Sequence, residues 1–353
     1  MSIERFNWGQ YEGQSVERYT LTNQRGHAVG LTNYGAAVTS LTVPDRQGQL
    51  ADVVLGFEHL DAYIGQGPFF LGATVGRVAN RIRSATFQLD GRRVPLAVTN
   101  GAHHLHGGRR GWDRAVWSAA EESSELGPAL ELSYTSVDGE EGYPGRVTAR
   151  VRYIWTHEDA LIVDMQAHAH DTTIVNMAHH SYWNLAGHSS GDVLSHELEL
   201  SASRYTPADP IVPIGTIESV DGTAFDFTRA KNIGLGLRQL RAELPELEPA
   251  GFDHNWVVDG EPGRVRRVAR LYHPASGRRM TLESDAPGVQ FYTGNVLDGS
   301  LSGKGARYAR HAGLCLETQA FPDAINVPEW ASQVIILAGH TYRHQMVHRF
   351  AAE

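Results

Sequence analysis

A single carboxylate, Glu317, lies in a mostly apolar run, LCLETQAFP, at positions 314–322. Period-two alternation in a strand would place Leu314 and Leu316 on one face. Cys315 and Glu317 would then lie on the other face, in a polar groove. Partial dehydration there would disfavour the charged carboxylate and raise its pKa, which makes it a proton acceptor near neutral pH. A salt-bridged glutamate, or one on an edge strand, is the alternative interpretation.

Four further segments combine polar side chains with the glycines and aromatic residues that a carbohydrate pocket uses. Taken alone, each is equally typical of a turn or of a solvated loop end. Together they indicate a polar pocket. They are GRVANRI at 76–82, NGAHHLHGG at 100–108, HHSYWNLAG at 179–187 and GFDHNW at 251–256.

Histidine is abundant, at 18 residues, so a metal site is an alternative. His168 and His170 would share one strand face, and His104 and His106 another. Such pairs can bind zinc, copper or iron together with a carboxylate. The pairs are scattered among many other histidines, however, and no helix-borne metal motif accompanies them. We therefore expect no catalytic metal.

Residues 187–191 read GHSSG and fit the Gly-x-Ser-x-Gly nucleophile elbow of hydrolases. That motif requires a strand before the serine and a helix after it. The sequence that follows, DVLSHELEL at 192–200, is typical of a loop and a strand. The pattern therefore predicts a flexible turn.

Composition argues against several classes of protein. The formal net charge is -9 at pH 7, and the basic clusters are short and not interleaved with aromatic residues, so we expect no nucleic-acid partner. The single cysteine, Cys315, excludes an intramolecular disulfide and a cysteine-based zinc site. No apolar run approaches the roughly 20 residues of a membrane helix, and the N-terminus lacks a signal-peptide pattern. We expect a cytoplasmic protein without membrane contact.

Short β-rich runs alternate with turn signals along the chain. Asp-Gly pairs, which favour hairpin turns, recur between these runs, and the first of them is Asp90-Gly91. Alternation is clearest at 146–155 and 161–169, which predicts two strands joined by a turn at 156–159.

Helical periodicity is weak by comparison. It is best at 233–244, with a short turn near 58–64. No repeat, low-complexity segment or linker divides the chain. We therefore predict an all-β protein in which residues 1–353 form a single domain, a large antiparallel β-sandwich with few short helices.

In this order, the segments resemble the aldose 1-epimerase (galactose mutarotase) family, and the resemblance covers nearly the whole chain. It implies a β-sandwich of the galactose mutarotase type. It also implies interconversion of the α and β anomers of free aldoses such as galactose and glucose, without cofactor or metal. It rests on NYGA at 33–36, VPDR at 43–46, DVVLGF at 52–57, GATVGR at 72–77, PGVQFYTGN at 287–295 and the Glu317 segment.

The resemblance also implies roles for individual residues. The family's general base, the glutamate of its Glu-Thr-Gln segment, falls on Glu317. Its general acid, the histidine of its His-Ser-Tyr segment, falls on His180. Opening a pyranose requires a base at the anomeric hydroxyl and an acid at the ring oxygen, and a carboxylate and a histidine are competent for these tasks. Substrate-binding positions fall on Asn80, Arg81, His106, Asp253 and Gln290.

Some assignments stay open from the sequence. His106 could also help the acid at the ring oxygen. Trp183, Trp256 and Phe291 are candidates for apolar walls against the sugar, with core packing as the alternative. Because His103-His104, Trp183 and Trp256 depart from the family's common residues, the preferred sugar is undecided.

Two other functions also stay open. A sugar-phosphate epimerase of the same fold would need a basic cluster, for which Arg109 and Arg110 are candidates. A non-catalytic sugar-binding protein would need hydroxyl partners but no acid–base pair, so the presence of Glu317 and His180 favours an enzyme. The expected partner is a small free aldose, bound by a monomer or a homodimer.

Overall fold

Strands dominate the computed structural model, which describes residues 2–67, 69–209, 211–247 and 251–353. In those ranges the α-helices are Leu60–Gly65 and Ile233–Glu243. Neither is long and apolar enough to cross a membrane. The all-β prediction with few short helices is confirmed. Single 3₁₀ turns occur at Arg83–Ala85, Trp112–Arg114, Glu140–Gly142, Ala324–Asn326 and Ala331–Gln333.

The largest sheet has nine antiparallel strands. Chain neighbours pair at one end, but the last strand of the chain lies in the middle, between strands that are far apart in sequence. Inward and outward residues alternate along its central strands, so one face is apolar. In hydrogen-bonding order the strands are Ser118–Ser124, Gly127–Ser136, Val147–Trp155, Ala160–Ala169, Thr341–Ala352, Arg278–Ser284, Arg266–Tyr272, Glu197–Leu200 and Lys231–Asn232.

Two five-stranded sheets accompany it. The N-terminal sheet is a meander in chain order: Ser2–Tyr11, Gln14–Thr22, Ala28–Thr32, Ala37–Pro44 and Leu50–Asp52. The second, which we call the site sheet, has the order Glu218–Ser219, Arg204–Thr206, Asp253–Val257, Gly288–Tyr292 and Cys315–Gln319.

Short two-stranded ribbons complete the fold. The hairpin of Thr86–Leu89 and Arg92–Pro95 turns through Asp90 and Gly91, both with positive φ, as a tight hairpin turn requires. The other ribbons pair Thr74–Val75 with Ala178–His179, Arg81–Ile82 with His104–Leu105, Thr173–Ile174 with Ile335–Ile336, and Ser302–Gly303 with Ala306–Arg307.

One apolar core connects the three larger sheets. Leu31 from the N-terminal sheet, Val163 from the nine-stranded sheet and Leu316 from the site sheet all belong to it. Trp183, Trp256 and Phe291 are buried in the same cluster. For these three residues the core-packing interpretation is therefore correct.

The local sequence patterns match the observed elements closely. The strands predicted at 146–155 and 161–169 are Val147–Trp155 and Ala160–Ala169, paired as a hairpin. The predicted helix at 233–244 is Ile233–Glu243, capped by the Asn232 side chain. Residues 187–191 form turns and no helix follows them, so the nucleophile-elbow pattern is a turn, as expected.

Candidate active site

A cavity of about 420 Å³ opens beside the site sheet. That volume lies within the range of small-molecule sites. The structure brings together on its wall six of the seven residues that the resemblance singles out: Asn80, Arg81, His106, His180, Asp253 and Glu317. The seventh, Gln290, lies on the strand beside Glu317 and contacts Asp253.

Glu317 stands at the centre of the strand Cys315–Gln319. Leu316 belongs to the central core, whereas Cys315 and Glu317 lie on the opposite face, as the alternation predicts. The strand is the last in the order of the site sheet, so the edge-strand interpretation was right about its position. Its residues are nevertheless all buried, and Glu317 is only 3% exposed.

Burial changes the acid–base properties of Glu317. It raises the pKa of the carboxyl to about 8, with a further increase from the negative charge of Asp253 and an opposing effect of Arg81. Among the described residues, Glu317 Oε2 has no hydrogen-bond partner. A buried carboxyl without a protein partner is available for a ligand.

His180 faces Glu317 across the cavity floor. Its Nε2 atom lies 3.7 Å from Oε1 of Glu317. The backbone of His180 is fixed by hydrogen bonds with Ala73 and Gly72, and the imidazole packs against the rings of Phe70 and Tyr182. Burial lowers the pKa of His180 to about 4.

The two pKa shifts determine which group of the pair carries the proton. Burial penalises charge on both groups, which raises the pKa of Glu317 and lowers that of His180. Between about pH 4 and pH 8 the pair therefore carries one proton. In the free site that proton resides on Glu317, with His180 neutral.

His106 is held by Asn80 through two backbone groups. The Asn80 N–H donates to His106 Nδ1 (3.1 Å), and the His106 N–H donates to the Asn80 carbonyl (3.0 Å). Burial lowers the pKa of His106 well below its ordinary value, so the ring is neutral. Because Nδ1 accepts a hydrogen bond, the ring proton resides on Nε2, and His106 is a hydrogen-bond donor there.

The Leu-His-Gly-Gly motif has a steric basis. Gly107 has a φ of +88°, and a Cβ atom at this position would lie 1.8 Å from the carbonyl oxygen of Gly76. A side chain is excluded there on both grounds. The glycine thus allows the loop to turn directly after His106 and to pack against residues 76–77.

Charged and amide groups form a network on the sheet side of the cavity. Gln290 Nε2 donates to Asp253 Oδ1 (2.7 Å), and Arg81 Nη2 donates to Asp253 Oδ2 (3.4 Å). Arg81 Nε also donates to Asn100 Oδ1 (3.0 Å). Gln290 lies directly opposite Glu317 in the strand register, and its Oε1 has no partner among the described residues.

Sequence reasoning missed several residues of this site. The aromatic residues on the wall are Phe69, Phe70, Tyr182 and Tyr292, rather than the tryptophans considered from the sequence. Tyr182 is part of the His-Ser-Tyr segment and Tyr292 of the Gln-Phe-Tyr segment, so their motifs were a usable signal. Phe69 and Phe70 lie in the irregular segment before the strand Thr74–Val75 and carried no signal.

A metal ion was one alternative for the histidines. The donor atoms of His106, His180 and Glu317 lie within 4.8 Å of one another, the one group of this kind in the described part of the chain. The chemistry of His106 argues against it as a ligand, because its Nδ1 accepts the Asn80 N–H and its Nε2 carries a proton. Neither nitrogen then has a lone pair for a metal.

The other expected histidine pairs do not assemble a site. His104 packs against Tyr143 and contacts the carbonyl of Ala97 (2.7 Å), away from the cavity, so His104 and His106 do not share a face. The rings of His168 and His170 lie 5.0 Å apart, as a shared face requires, but among the described residues no further His, Cys, Asp or Glu joins them to form a group of three ligands.

Arg109 and Arg110 lie outside the cavity. Their backbone N–H groups donate to the carboxylate of Glu141, and the Arg110 side chain pairs with Glu12. Both arginines are exposed. They do not form a phosphate site beside the acid–base pair.

Comparisons with known proteins show similarity along nearly the whole chain. The family model described as aldose 1-epimerase matches residues 17–349. The chain is 42% identical to galactose mutarotase from Bos taurus over 96% of this chain and 94% of that protein. It is 41% identical to human galactose mutarotase over 99% of both, and 32% identical to aldose 1-epimerase from Escherichia coli over 97% of both.

Solved structures give the same result for the fold. Galactose 1-epimerase from Lactobacillus acidophilus superposes with a TM-score of 0.85, 25% identity and 99% coverage of both chains. The GalM/aldose epimerase homologue from C. elegans gives 0.82 with 28% identity, covering 94% of this chain and 98% of that chain. The β-sandwich of the galactose mutarotase type is confirmed, and the chain belongs to the aldose 1-epimerase family.

Proposed function

We propose that this protein is a mutarotase that interconverts the α and β anomers of free aldohexoses, with Glu317 as base and His180 as acid. The observation that carries the proposal is the buried Glu317–His180 pair, 3.7 Å apart on the floor of a cavity of sugar-binding size. The names of the relatives, galactose mutarotase and aldose 1-epimerase, favour galactose among the substrates.

Ring opening starts from the pair with one proton, in the form in which Glu317 is a carboxylate and His180 is an imidazolium. When the anomeric hydroxyl donates a hydrogen bond to Glu317, it stabilises the carboxylate, and the proton shifts to His180. Glu317 then removes the proton from O1 while Nε2 of His180 protonates the ring oxygen, and the C1–O5 electron pair leaves with O5. The result is a free aldehyde, a protonated Glu317 and a neutral His180.

Ring closure reverses both transfers. The aldehyde rotates about the C1–C2 bond and presents its other face to the C5 hydroxyl. His180 takes the proton from that hydroxyl as O5 attacks C1, and Glu317 returns its proton to O1. No net proton is consumed, and each transfer contributes about 10² to 10⁴ in rate.

Burial assists the opening step. The open-chain intermediate leaves both groups of the pair neutral, which is the protonation state that the buried site prefers. Ring opening therefore removes two charges from a low-dielectric environment. The acid and base are stronger here than they would be in water.

The remaining polar groups are suited to hold sugar hydroxyls. Arg81 is a donor, Asp253 an acceptor, and both make charge-assisted hydrogen bonds. His106 Nε2 is a neutral donor. Gln290 Oε1 and Glu317 Oε2, which lack protein partners in the described ranges, are free to accept from hydroxyls.

A free sugar fits this cavity better than a phosphorylated one. Arg81 is the sole arginine or lysine among the described residues on its wall, and it is engaged with Asp253. A phosphate carries about two negative charges and would meet Asp253 and Glu317 without a free cationic partner.

Polarimetry on a panel of freshly dissolved sugars tests the proposal. We expect rapid mutarotation of α-D-galactose and α-D-glucose, and little or no acceleration of the mutarotation of their 6-phosphates. Activity confined to the phosphates would move the assignment to a sugar-phosphate epimerase. Sugar binding, seen by calorimetry, without any accelerated mutarotation would indicate a binding protein.

A further inference from the structure

On the side away from Glu317, the imidazole of His180 contacts one polar side chain. Its Nδ1 atom lies 3.5 Å from Sγ of Cys315, within hydrogen-bond range for sulfur. In the described part of the chain, this thiol is the one side chain that hydrogen-bonds Nδ1, and a backbone hydrogen bond within His180 itself also acts on the ring by raising its pKa. The other neighbours of the ring are the aromatic rings of Phe70, Tyr182 and His106, which fix its plane but leave the positions of its protons open.

The strand that carries Glu317 also brings the thiol of Cys315 close to the acid–base pair. Cys315 and Glu317 are two residues apart on the strand Cys315–Gln319, so their side chains point to the same face. One strand therefore supplies a partner for each nitrogen of His180: Glu317 toward Nε2 and Cys315 toward Nδ1.

We propose that Cys315 is a positioning residue for the reaction: its sulfur accepts the Nδ1–H of His180 and thereby makes Nε2 the nitrogen that gains and loses the proton. The inference rests on the proposed mutarotase function. During turnover His180 alternates between imidazolium and the neutral form with its proton on Nδ1, and the hydrogen bond to sulfur persists in both.

Sulfur suits this position because it is a weak, uncharged acceptor. A carboxylate at Nδ1 would stabilise the imidazolium and make His180 a weaker acid. Burial raises the pKa of Cys315 well above its ordinary value, so the group stays an uncharged thiol. Cys315 thus orients His180 without adding a charge beside it.

The variants Cys315→Ala and Cys315→Ser test this role by polarimetry. Alanine removes the acceptor, and we expect kcat to fall about 2- to 10-fold, the size of one net hydrogen bond, with KM within about twofold. Serine supplies a hydroxyl acceptor and is expected to restore most of the loss. Thr318→Val is the matched control, since it removes a hydroxyl that contacts another buried histidine, His344 (3.0 Å), and it should leave kcat unchanged.

The ¹⁵N NMR shifts of the ring nitrogens provide a readout that packing alone would not move. With histidine labelled and His180 assigned through His180→Asn, neutral His180 of the unliganded wild type should carry its proton on Nδ1. The proton on Nε2 would overturn the proposal, whatever the variants do. So would a Cys315→Ala protein with wild-type kcat, or equal losses in the alanine and serine variants. Failure of the wild type to accelerate mutarotation would contradict the proposed function, while the tautomer measurement would still decide the role of Cys315.

Discussion

His180 Nε2 and Glu317 Oε1 face each other at 3.7 Å, and each is almost fully enclosed by protein. The two groups are beyond direct hydrogen-bond distance of each other, so the anomeric hydroxyl can approach Glu317 while the ring oxygen approaches His180. Burial moves their pKa values in opposite directions, to about 8 for Glu317 and about 4 for His180. This reversal of the usual order has consequences that can be measured.

The first consequence is a bell-shaped pH dependence of kcat/KM. Below about pH 4 both groups are protonated and no base is present. Above about pH 8 both are deprotonated and no acid is present. We expect limbs near these values and a plateau between them, measured by polarimetry with the spontaneous rate subtracted at each pH. A profile with an acidic limb near 6.5, the ordinary value of histidine, would contradict the buried pair. Tryptophan fluorescence at each pH serves as the control for folding.

The alkaline limb should move in opposite directions in two variants. Asp253 raises the pKa of Glu317 and Arg81 lowers it. We therefore expect Asp253→Asn to shift the alkaline limb of kcat/KM to lower pH, and Arg81→Gln to shift it to higher pH. Both variants should also raise KM by about tenfold or more, because each loses a charge-assisted hydrogen bond to the sugar. Shifts of the same sign in the two variants would contradict the assigned electrostatics.

His106 should act as a donor that does not titrate. Asn80 fixes its proton on Nε2, and burial keeps the ring neutral. We expect His106→Ala to lower kcat/KM by about tenfold through loss of one hydrogen bond, and His106→Gln, which keeps a donor, to lower it less. The limbs of the pH profile should stay in place in both. Movement of the acidic limb in His106→Ala would instead indicate that His106 is the acid.

Motifs allowed the polar residues of this site to be predicted from the sequence, whereas its aromatic wall residues were not predicted. Glu317 and His180 lie in short segments whose chemistry is local, and period-two alternation correctly assigned Glu317 to the face opposite Leu316. The aromatic walls depend on irregular loops, whose side-chain directions no periodicity encodes. Trp183 and Phe291 are residue types that often pack against sugars, but here they face the core, and only the three-dimensional structure shows this.

In the fold too, local features could be predicted from the sequence, whereas long-range strand pairings could not. Local hairpins such as Val147–Trp155 with Ala160–Ala169 follow from alternation and a turn. The pairing of Ala160–Ala169 with Thr341–Ala352 joins strands far apart in sequence, and no local signal encodes it. Each alternating strand carries the same apolar pattern, so the pattern identifies strands without naming their partners.

Buried histidines outside the cavity should make the protein sensitive to acid. His348 is 1% exposed, packs against Trp183, and its pKa is lowered to about 4 by burial. Between pH 6.5 and 4 the unfolded chain binds this proton and the folded chain does not, so the free energy of unfolding falls as pH decreases. The full difference corresponds to about 3 kcal/mol for this one group.

Urea unfolding at pH 7 and pH 4.5 measures that contribution. We expect His348→Leu to lose less stability on acidification than the wild type. The exposed His340 provides the matched control, and His340→Asn should behave as the wild type does. An identical acid response in His348→Leu and the wild type would exclude His348 as a source of the sensitivity.

The most direct test of the central claim is polarimetry of freshly dissolved α-D-galactose with wild type, Glu317→Gln and His180→Asn, each in the presence of a chelator. Glu317→Gln preserves the shape of the side chain, His180→Asn replaces the imidazole with a smaller polar group, and each removes one proton-transfer group; circular dichroism verifies the folds. The acid–base account predicts rapid mutarotation by the wild type and a loss of about 10² to 10⁴ in each variant, with no effect of the chelator. Wild-type rates in either variant, or a wild type that the chelator silences, would contradict it.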